Sequence, residues 1–297
     1  MRQSVLWTNL SRREISRRLG SMGTPASRHV VRKLLKKHGL GQRKACKKKS
    51  MGAHPDRNAQ FENIAKLKAR YLAAGEPVLS IDTKKKELIG NFAREGQTHT
   101  QAQVQTLDHD FPSAGQGQAD PARPVRLGAQ AKGYLHLNTS TETSEFCCDS
   151  LAHWWAQHGS KHYPDAKGLL VLCDGGGSNA SNRHVFKEAL QHLANRLGLE
   201  IRIAHYPPHC SKHNPIEHRL FAHVTRACQG VTFHTVEIAR QFMAKAQTST
   251  GLKVTAEVLG GVYVKGKKVA ADFLENMRIV FDEHLPRWNY RAVLANG

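Results

Sequence analysis

Three acidic side chains stand where chemistry could be done. Asp82 closes the apolar run Val78-Leu79-Ser80-Ile81, and Asp174 closes Leu169-Leu170-Val171-Leu172-Cys173. Acids at the ends of buried strands reach the rim of a sheet, where α/β folds place ligands. Glu217 lies in the segment 214–228, which reads as a helix. At 100° per residue it shares a stripe with Ile216, Leu220, Phe221, Val224, Ala227 and Cys228, while Arg219, His223 and Arg226 fall opposite. A carboxylate on an inward face costs several kcal/mol unless it is compensated, and a divalent cation is a good candidate. Each acid has a plainer reading as well. A strand-end Asp can cap a turn, and Gly175-Gly176-Gly177 follows Asp174. Asn214, Pro215 and Glu217 could form the N-cap, first and third positions of a variant capping box. Together the three acids suit one task. Carboxylates from separate elements can hold Mg²⁺ or Mn²⁺, and a pair of such ions supports in-line displacement at a phosphodiester.

The stretch 205–223 is rich in His and Cys, but its prolines interrupt it and its spacing fits no common zinc pattern. Lys212, His213 and His218 are read instead as exposed polar residues, or as groups that touch DNA phosphates or assist at the metal site.

The elements that must position these residues can be read from apolar periodicity. Strands are expected at 78–82, 88–92, 134–137, 168–173, 201–205 and 253–259. Helices are expected at 57–74, 145–158, 183–197, 214–228 and about 270–282. Residues 93–130 are Gln-, Gly- and Pro-rich and read as a long loop or poorly ordered insertion. Alternating strands and helices argue for an α/β sandwich.

Ahead of this lies a different composition. The chain of 297 residues carries a net charge of +20, and residues 1–50 hold fifteen Lys or Arg against the single acid Glu14. A helix from Ser11, with Glu14 completing a capping box, precedes a turn at 20–24 and a second helix with Pro25 at its first position. That pattern is a helix-turn-helix candidate. Arg28, Arg32, Lys33, Lys36 and Lys37 would meet DNA from the second helix. Lys47 and Lys48 in the basic tail would add to them, as would Lys84 and Lys85 in a turn between strands. The alternative is a solvated basic face. Six cysteines without a C-x-x-C pair point to reduced thiols. No apolar stretch is long enough to span a membrane. A cytoplasmic, nucleoid-associated protein follows.

At Ile81-Asp82-Thr83-Lys84-Lys85-Lys86-Glu87, Asp108-His109-Asp110-Phe111-Pro112-Ser113, Asp174-Gly175-Gly176-Gly177-Ser178-Asn179 and Asn214-Pro215-Ile216-Glu217-His218-Arg219-Leu220-Phe221 the chain resembles DDE transposases of bacterial insertion sequences, of the ISAzo-thirteen type. Trp154-Trp155 and Trp288-Asn289-Tyr290 fit the same resemblance. It implies an RNase H-like mixed sheet flanked by helices, preceded by a small all-α helix-turn-helix domain. It also implies that Asp82, Asp174 and Glu217 form the catalytic, metal-binding triad, with Asp108 and Asp110 as rivals for the second position. The activity implied is metal-dependent cleavage and strand transfer at transposon ends, by a protein that is a homo-oligomer on double-stranded DNA. A decayed DNA-binding remnant and a plain metal-dependent nuclease are the alternatives. The expected domains are a DNA-binding domain at 1–50, shortened at its N-terminus, a linker helix at 51–76, a catalytic domain at 77–250 and a C-terminal extension at 251–297.

Overall fold

The computed structural model describes residues 8–43, 54–83, 86–126, 132–208, 210 and 213–294. The chain forms two compact units, Met1–Ser50 and Met51–Gly297.

In the first unit, α1 (Arg12–Ser21) starts at Ser11, whose hydroxyl accepts from Glu14 N while the Glu14 carboxylate accepts from Ser11 N. Gly23, at φ 81°, turns the chain toward α2 (Arg28–Lys37). The second helix begins later than its sequence suggests, because Ser27 takes the N-cap and accepts from Val30 N. Val31 is its one buried residue, and Arg28, Arg32, Lys33, Lys36 and Lys37 are all exposed.

The second unit opens with α3 (Arg57–Ala73) and is built on a mixed sheet. Its strands are β1 (Val78–Thr83), β2 (Glu87–Ile89), β3 (Gly117–Arg126), β4 (Lys132–Asn138), β5 (Gly168–Cys173), β6 (Glu200–His205), β7 (Lys253–Val258), β8 (Ile279–Phe281) and β9 (Asn289–Ala292). They run in the order β7-β4-β3-β1-β5-β6-β9-β8, with β2 paired to the outer end of β3. Strands β1, β5 and β6 are parallel, while β3 is antiparallel to both β1 and β4. The C-terminal ends of β1, β4, β5 and β6 therefore share one rim with the N-terminal half of β3. This is a mixed α/β sheet, as the sequence leads one to expect.

Both faces of the central strands are covered, which is why they read as continuous apolar runs. Val78, Leu170 and Leu172 face a core completed by α3, α7 (Ala222–Ala227) and α8 (Val236–Ala244). Leu79, Ile81, Leu169 and Val171 face the other core, closed by α4 (Ser144–Trp154) and α6 (His184–Leu197). Between those two helices α4 runs through a π turn into the short α5 (Ser160–His162).

The sheet overturns two expectations from sequence. The segment 93–130, read as a loop or insertion, contributes β3, which lies inside the sheet between β1 and β4. Its Pro121 and Pro124 are what hid it, since proline has no N–H for a ladder. Pro124 falls in a gap of the β3–β4 ladder, which covers 120–122 and resumes at 125–126, and Pro121 lies beyond the last residue paired with β1. The helix expected at about 270–282 is only α9 (Ala271–Asn276), after which the chain becomes β8. Strands β8 and β9, from the segment set apart as an extension, lie at the β6 edge of this same sheet.

Candidate active site

The register of β1 with β5 pairs Ile81 with Cys173, so Asp82 and Asp174 occupy the next positions on neighbouring strands. Strand parity then decides their face. Side chains alternate, and Ser80 and Asp82 follow Val78 as Asp174 follows Leu170 and Leu172. Both acids thus belong to the face on which the segment after Asn214 packs through the buried Ile216, Leu220 and Val224. Asp82 is buried and Asp174 half-buried.

That segment is helical from 215 to 227, but it is not the regular α-helix expected at 214–228. Glu217–Phe221 forms a π turn before α7 begins. The wider turn changes the wheel on which Glu217 was placed, and such single π turns recur at functional sites. Glu217 is half-buried on the first residue of this turn.

Asn214 ties the turn to the sheet. Its Nδ2 donates to Asp82 Oδ2 at 3.2 Å, and its Oδ1 accepts from Ser80 Oγ at 2.9 Å and from Ile216 N at 3.2 Å. The backbone closes the same turn, with Glu217 N donating to Asn214 O. One fully buried amide therefore fixes the first acid and the entry of the helix that carries the third. Sequence reading gave Asn214 only an N-cap role.

Asp174 also feels the charge of Glu217. Burial raises the Asp174 carboxyl above its ordinary pKa, a backbone hydrogen bond from Gly176 opposes this, and the charges of Glu142 and Glu217 push it further up. Glu142 was not singled out in the sequence. It follows β4, on the shared rim, and its Oε1 accepts from Ser178 Oγ at 3.0 Å. Asp120, near the rim end of β3, is buried and accepts from both Lys86 Nζ at 2.9 Å and Glu142 N at 3.0 Å.

Behind Asp174 sits a buried polar network. His205 Nδ1 lies 3.2 Å from Asp174 O and 3.3 Å from Cys173 Sγ, and its Nε2 lies 3.0 Å from Tyr290 Oη. Burial holds this imidazole down at about 4, so it is neutral. His205 N donates to Trp288 O, and Gln60 of α3 exchanges hydrogen bonds with Asn289 in both directions. The run Trp288-Asn289-Tyr290 thus braces β6 and α3.

Other expected residues fall elsewhere. His213 is held against α3, with Nε2 3.2 Å from Arg57 Nη2 and its ring edge-on to Phe61 at 5.2 Å. His218 is exposed on the π turn. Asp108 and Asp110 are exposed in the 93–116 segment. Lys47, Lys48, Lys84, Lys85 and Lys212 lie outside the described residues.

The donor set is hard oxygen, which suits Mg²⁺ or Mn²⁺. Among the described residues, no three His, Cys, Asp or Glu side chains form a ready-made metal cage. Mg²⁺ ordinarily takes one or two carboxylates and completes its shell with water and substrate phosphate. Asp174 and Glu217, half-buried and repelling each other, beside the buried Asp82 fit that mode. Among the described residues no helix is long and apolar enough to cross a membrane.

A family described as the Rhodopirellula transposase DDE domain matches residues 1–293. No match was found among curated proteins. Three solved structures of Mos1 transposase resemble the chain. A paired-end complex with the left transposon end is 12% identical at a TM-score of 0.45, covering 82% of this chain and 72% of that one. A mariner Mos1 paired-end complex with Mg is 13% identical at 0.49, with 82% and 72% covered. A Mos1 strand transfer complex is 14% identical at 0.45, again over 82% and 72%.

Proposed function

Because the chain belongs to this family of transposase DDE domains, we propose that it is a DNA transposase that cleaves phosphodiesters at the ends of an insertion sequence and transfers the freed strand. Asp82, Asp174 and Glu217 are its catalytic residues. The observation that carries this reading is the amide of Asn214, which ties Asp82 on the rim to the turn bearing Glu217, while Asp174 stands at the adjacent strand end.

In this reading the three carboxylates hold two Mg²⁺ or Mn²⁺ ions. When bound, such ions lower the pKa of an attacking hydroxyl and offset charge on the scissile phosphate. The work of the chain is positional. Asp82 is oriented by Asn214, the Asp174 backbone by His205, and Glu217 by the π turn, so little reorganisation is left for the reaction. The bracing network of Gln60, Asn289 and Tyr290 keeps β6 and the neighbouring rim in register.

The N-terminal unit is the DNA-binding domain of this proposal. Its two helices form a helix-turn-helix whose exposed Arg28, Arg32, Lys33, Lys36 and Lys37 contact phosphates at transposon ends. Residues 51–76 link it to a catalytic domain at 77–250, and residues 251–297 complete the sheet. Two ends must be joined, so the DNA-bound form is a homo-oligomer in the nucleoid. Lys47, Lys48, Lys84, Lys85 and Lys212 remain proposed DNA contacts, and His218 a proposed assisting group.

The test is cleavage of a duplex carrying an intact element end in Mg²⁺ or Mn²⁺, with Glu217→Gln as the control. Metal-dependent cleavage that vanishes in the variant supports the reading. Joining of the cleaved strand to target DNA separates a transposase from a plain nuclease. DNA binding with no cleavage by the unaltered chain identifies a decayed remnant.

A further inference from the structure

Between β7 and α9 the chain doubles back over the start of α4. Tyr263 pins it there. The Tyr263 ring packs on Phe146 at 5.1 Å, its hydroxyl donates to Asp149 Oδ2 at 3.0 Å, and its N–H donates to Ser140 Oγ at 3.0 Å. Thr141 Oγ1 donates to the Tyr263 carbonyl at 2.9 Å. Gly261 is required by this packing, since a Cβ there would lie 2.7 Å from the Tyr263 hydroxyl. The segment is therefore fixed at its centre, yet its other side chains point to water. Val262 is 83% exposed and Val264 58%, and Lys265, Lys267 and Lys268 are exposed.

This segment forms one wall of a groove of about 490 Å³ whose other lining includes Lys86, Glu142, Ser178 and Arg183. The groove adjoins the acidic rim, because Glu142, which lines it, accepts from Ser178 Oγ at 3.0 Å, and Gly177 and Ser178 of the same lining belong to the loop that follows Asp174. Four cations line it, Lys86, Arg183, Lys265 and Lys267, against two carboxylates, Glu142 and Glu145. Lys86 is held by the buried Asp120, and Lys267 pairs with Glu145 at 2.6 Å. Arg183 and Lys265 make no ion pair with a described residue. A built wall, two exposed cations without an ion-pair partner among the described residues and a neighbouring exposed valine are matched by a sugar–phosphate backbone, which offers anions in series and apolar sugar edges.

We propose that this groove is the track along which a DNA strand passes the acidic rim, with Arg183 and Lys265 on successive phosphates and Val264 against a sugar. The inference rests on the transposase reading for the identity of the polyanion. It adds a surface that the triad does not define.

The test uses the full chain and a 30-base-pair duplex, with affinity measured by fluorescence anisotropy over a range of salt in EDTA. The variant Arg183→Gln with Lys265→Gln is compared with Lys161→Gln with Lys253→Gln, which removes the same charge from the opposite rim. Each phosphate contact adds about 0.9 to the slope of log K against log salt. The groove variant is expected to lose about 1.8 from that slope and roughly tenfold in affinity near 0.1 M salt. The control variant is expected to keep most of the slope. Equal slopes for the groove variant and the unaltered chain overturn the track, whatever cleavage shows. A reduced slope alongside absent cleavage supports the track and counts against the catalytic reading instead. All four positions are exposed, so unchanged melting temperatures show that the comparison is between folded proteins.

Discussion

Asn214 Nδ2 donates to Asp82 Oδ2 at 3.2 Å, although the two residues are far apart in sequence and belong to different layers of the fold. The same amide takes the Ser80 hydroxyl and the Ile216 N–H on its oxygen. A strand end and a helix start are thus locked by one side chain with no exposure to solvent.

Asn214→Ala should therefore do two things at once. Removing the amide leaves buried groups of Ser80 and Asp82 short of partners, which costs about 1–3 kcal/mol. Urea unfolding would measure this loss. Cleavage should fall by more than the loss of folded protein explains, because Asp82 and the Glu217 turn lose their common support. Activity that merely tracks the folded fraction would reduce Asn214 to an ordinary helix cap.

The carboxylates should trade stability for function. Burial and the charges of Glu142 and Glu217 raise the Asp174 carboxyl, so at neutral pH its ionised form works against folding. Asp174→Asn removes that charge and is predicted to abolish cleavage while leaving the melting temperature unchanged or a few degrees higher. Mg²⁺ should raise the melting temperature of the unaltered protein by linkage, and of Asp174→Asn much less. A melting temperature that drops by several degrees in the variant would contradict this account of the site.

How much of this could be read from sequence depends on which force fixed each element. Burial on both faces made Gly168–Cys173 legible to the residue. The Ser11–Glu14 box was legible because capping is local. Strand β3 was not, because Pro121 and Pro124 argue locally against a ladder whose gaps only the fold supplies. The π turn at Glu217 escaped for a related reason, since a 3.6-residue period cannot reveal one widened turn. The positions of Asp82, Asp174 and Glu217 were readable as strand ends and an apolar stripe. Asn214, Glu142 and the Asp120–Lys86 pair were not, because their roles are long-range contacts. The Trp288-Asn289-Tyr290 signature was visible in sequence without its bracing purpose.

Gln60 and Asn289 are predicted to be energetically coupled. Both are fully buried, and each donates to the other, at 3.0 and 2.8 Å. In a double-mutant cycle with Gln60→Leu and Asn289→Leu, each single change takes from the other amide the two hydrogen bonds they share, leaving Gln60 its bond to His205 O and Asn289 its bonds to His284 O and Leu285 O, and the double change removes both amides. A coupling of about 0.5–3 kcal/mol is expected from chemical unfolding. Simple additivity would show that this pair does not tie α3 to β9.

Acid should destabilise the sheet through His136. Its ring is buried, lies 2.6 Å from Ser150 Oγ, and is held down at about 3 from 6.5, mainly by burial and then by His153 and His158. The folded pKa is depressed, so below 6.5 the unfolded chain takes up a proton that the folded chain refuses. Stability is fully present above that value and falls toward pH 3 by roughly 1.4 kcal/mol per unit. His136→Gln should flatten the decline between pH 6 and 4.5 by about one proton. Parallel curves for the two proteins would remove His136 as the cause.

The most direct test of the central claim is cleavage of an end-bearing duplex by the unaltered chain and by Glu217→Gln, measured in Mn²⁺ at equal folded concentration. The prediction is metal-dependent nicking by the first and a loss of at least a hundredfold in the second, as expected when a transition-state contact is removed. Equal nicking rates from the two proteins would contradict it.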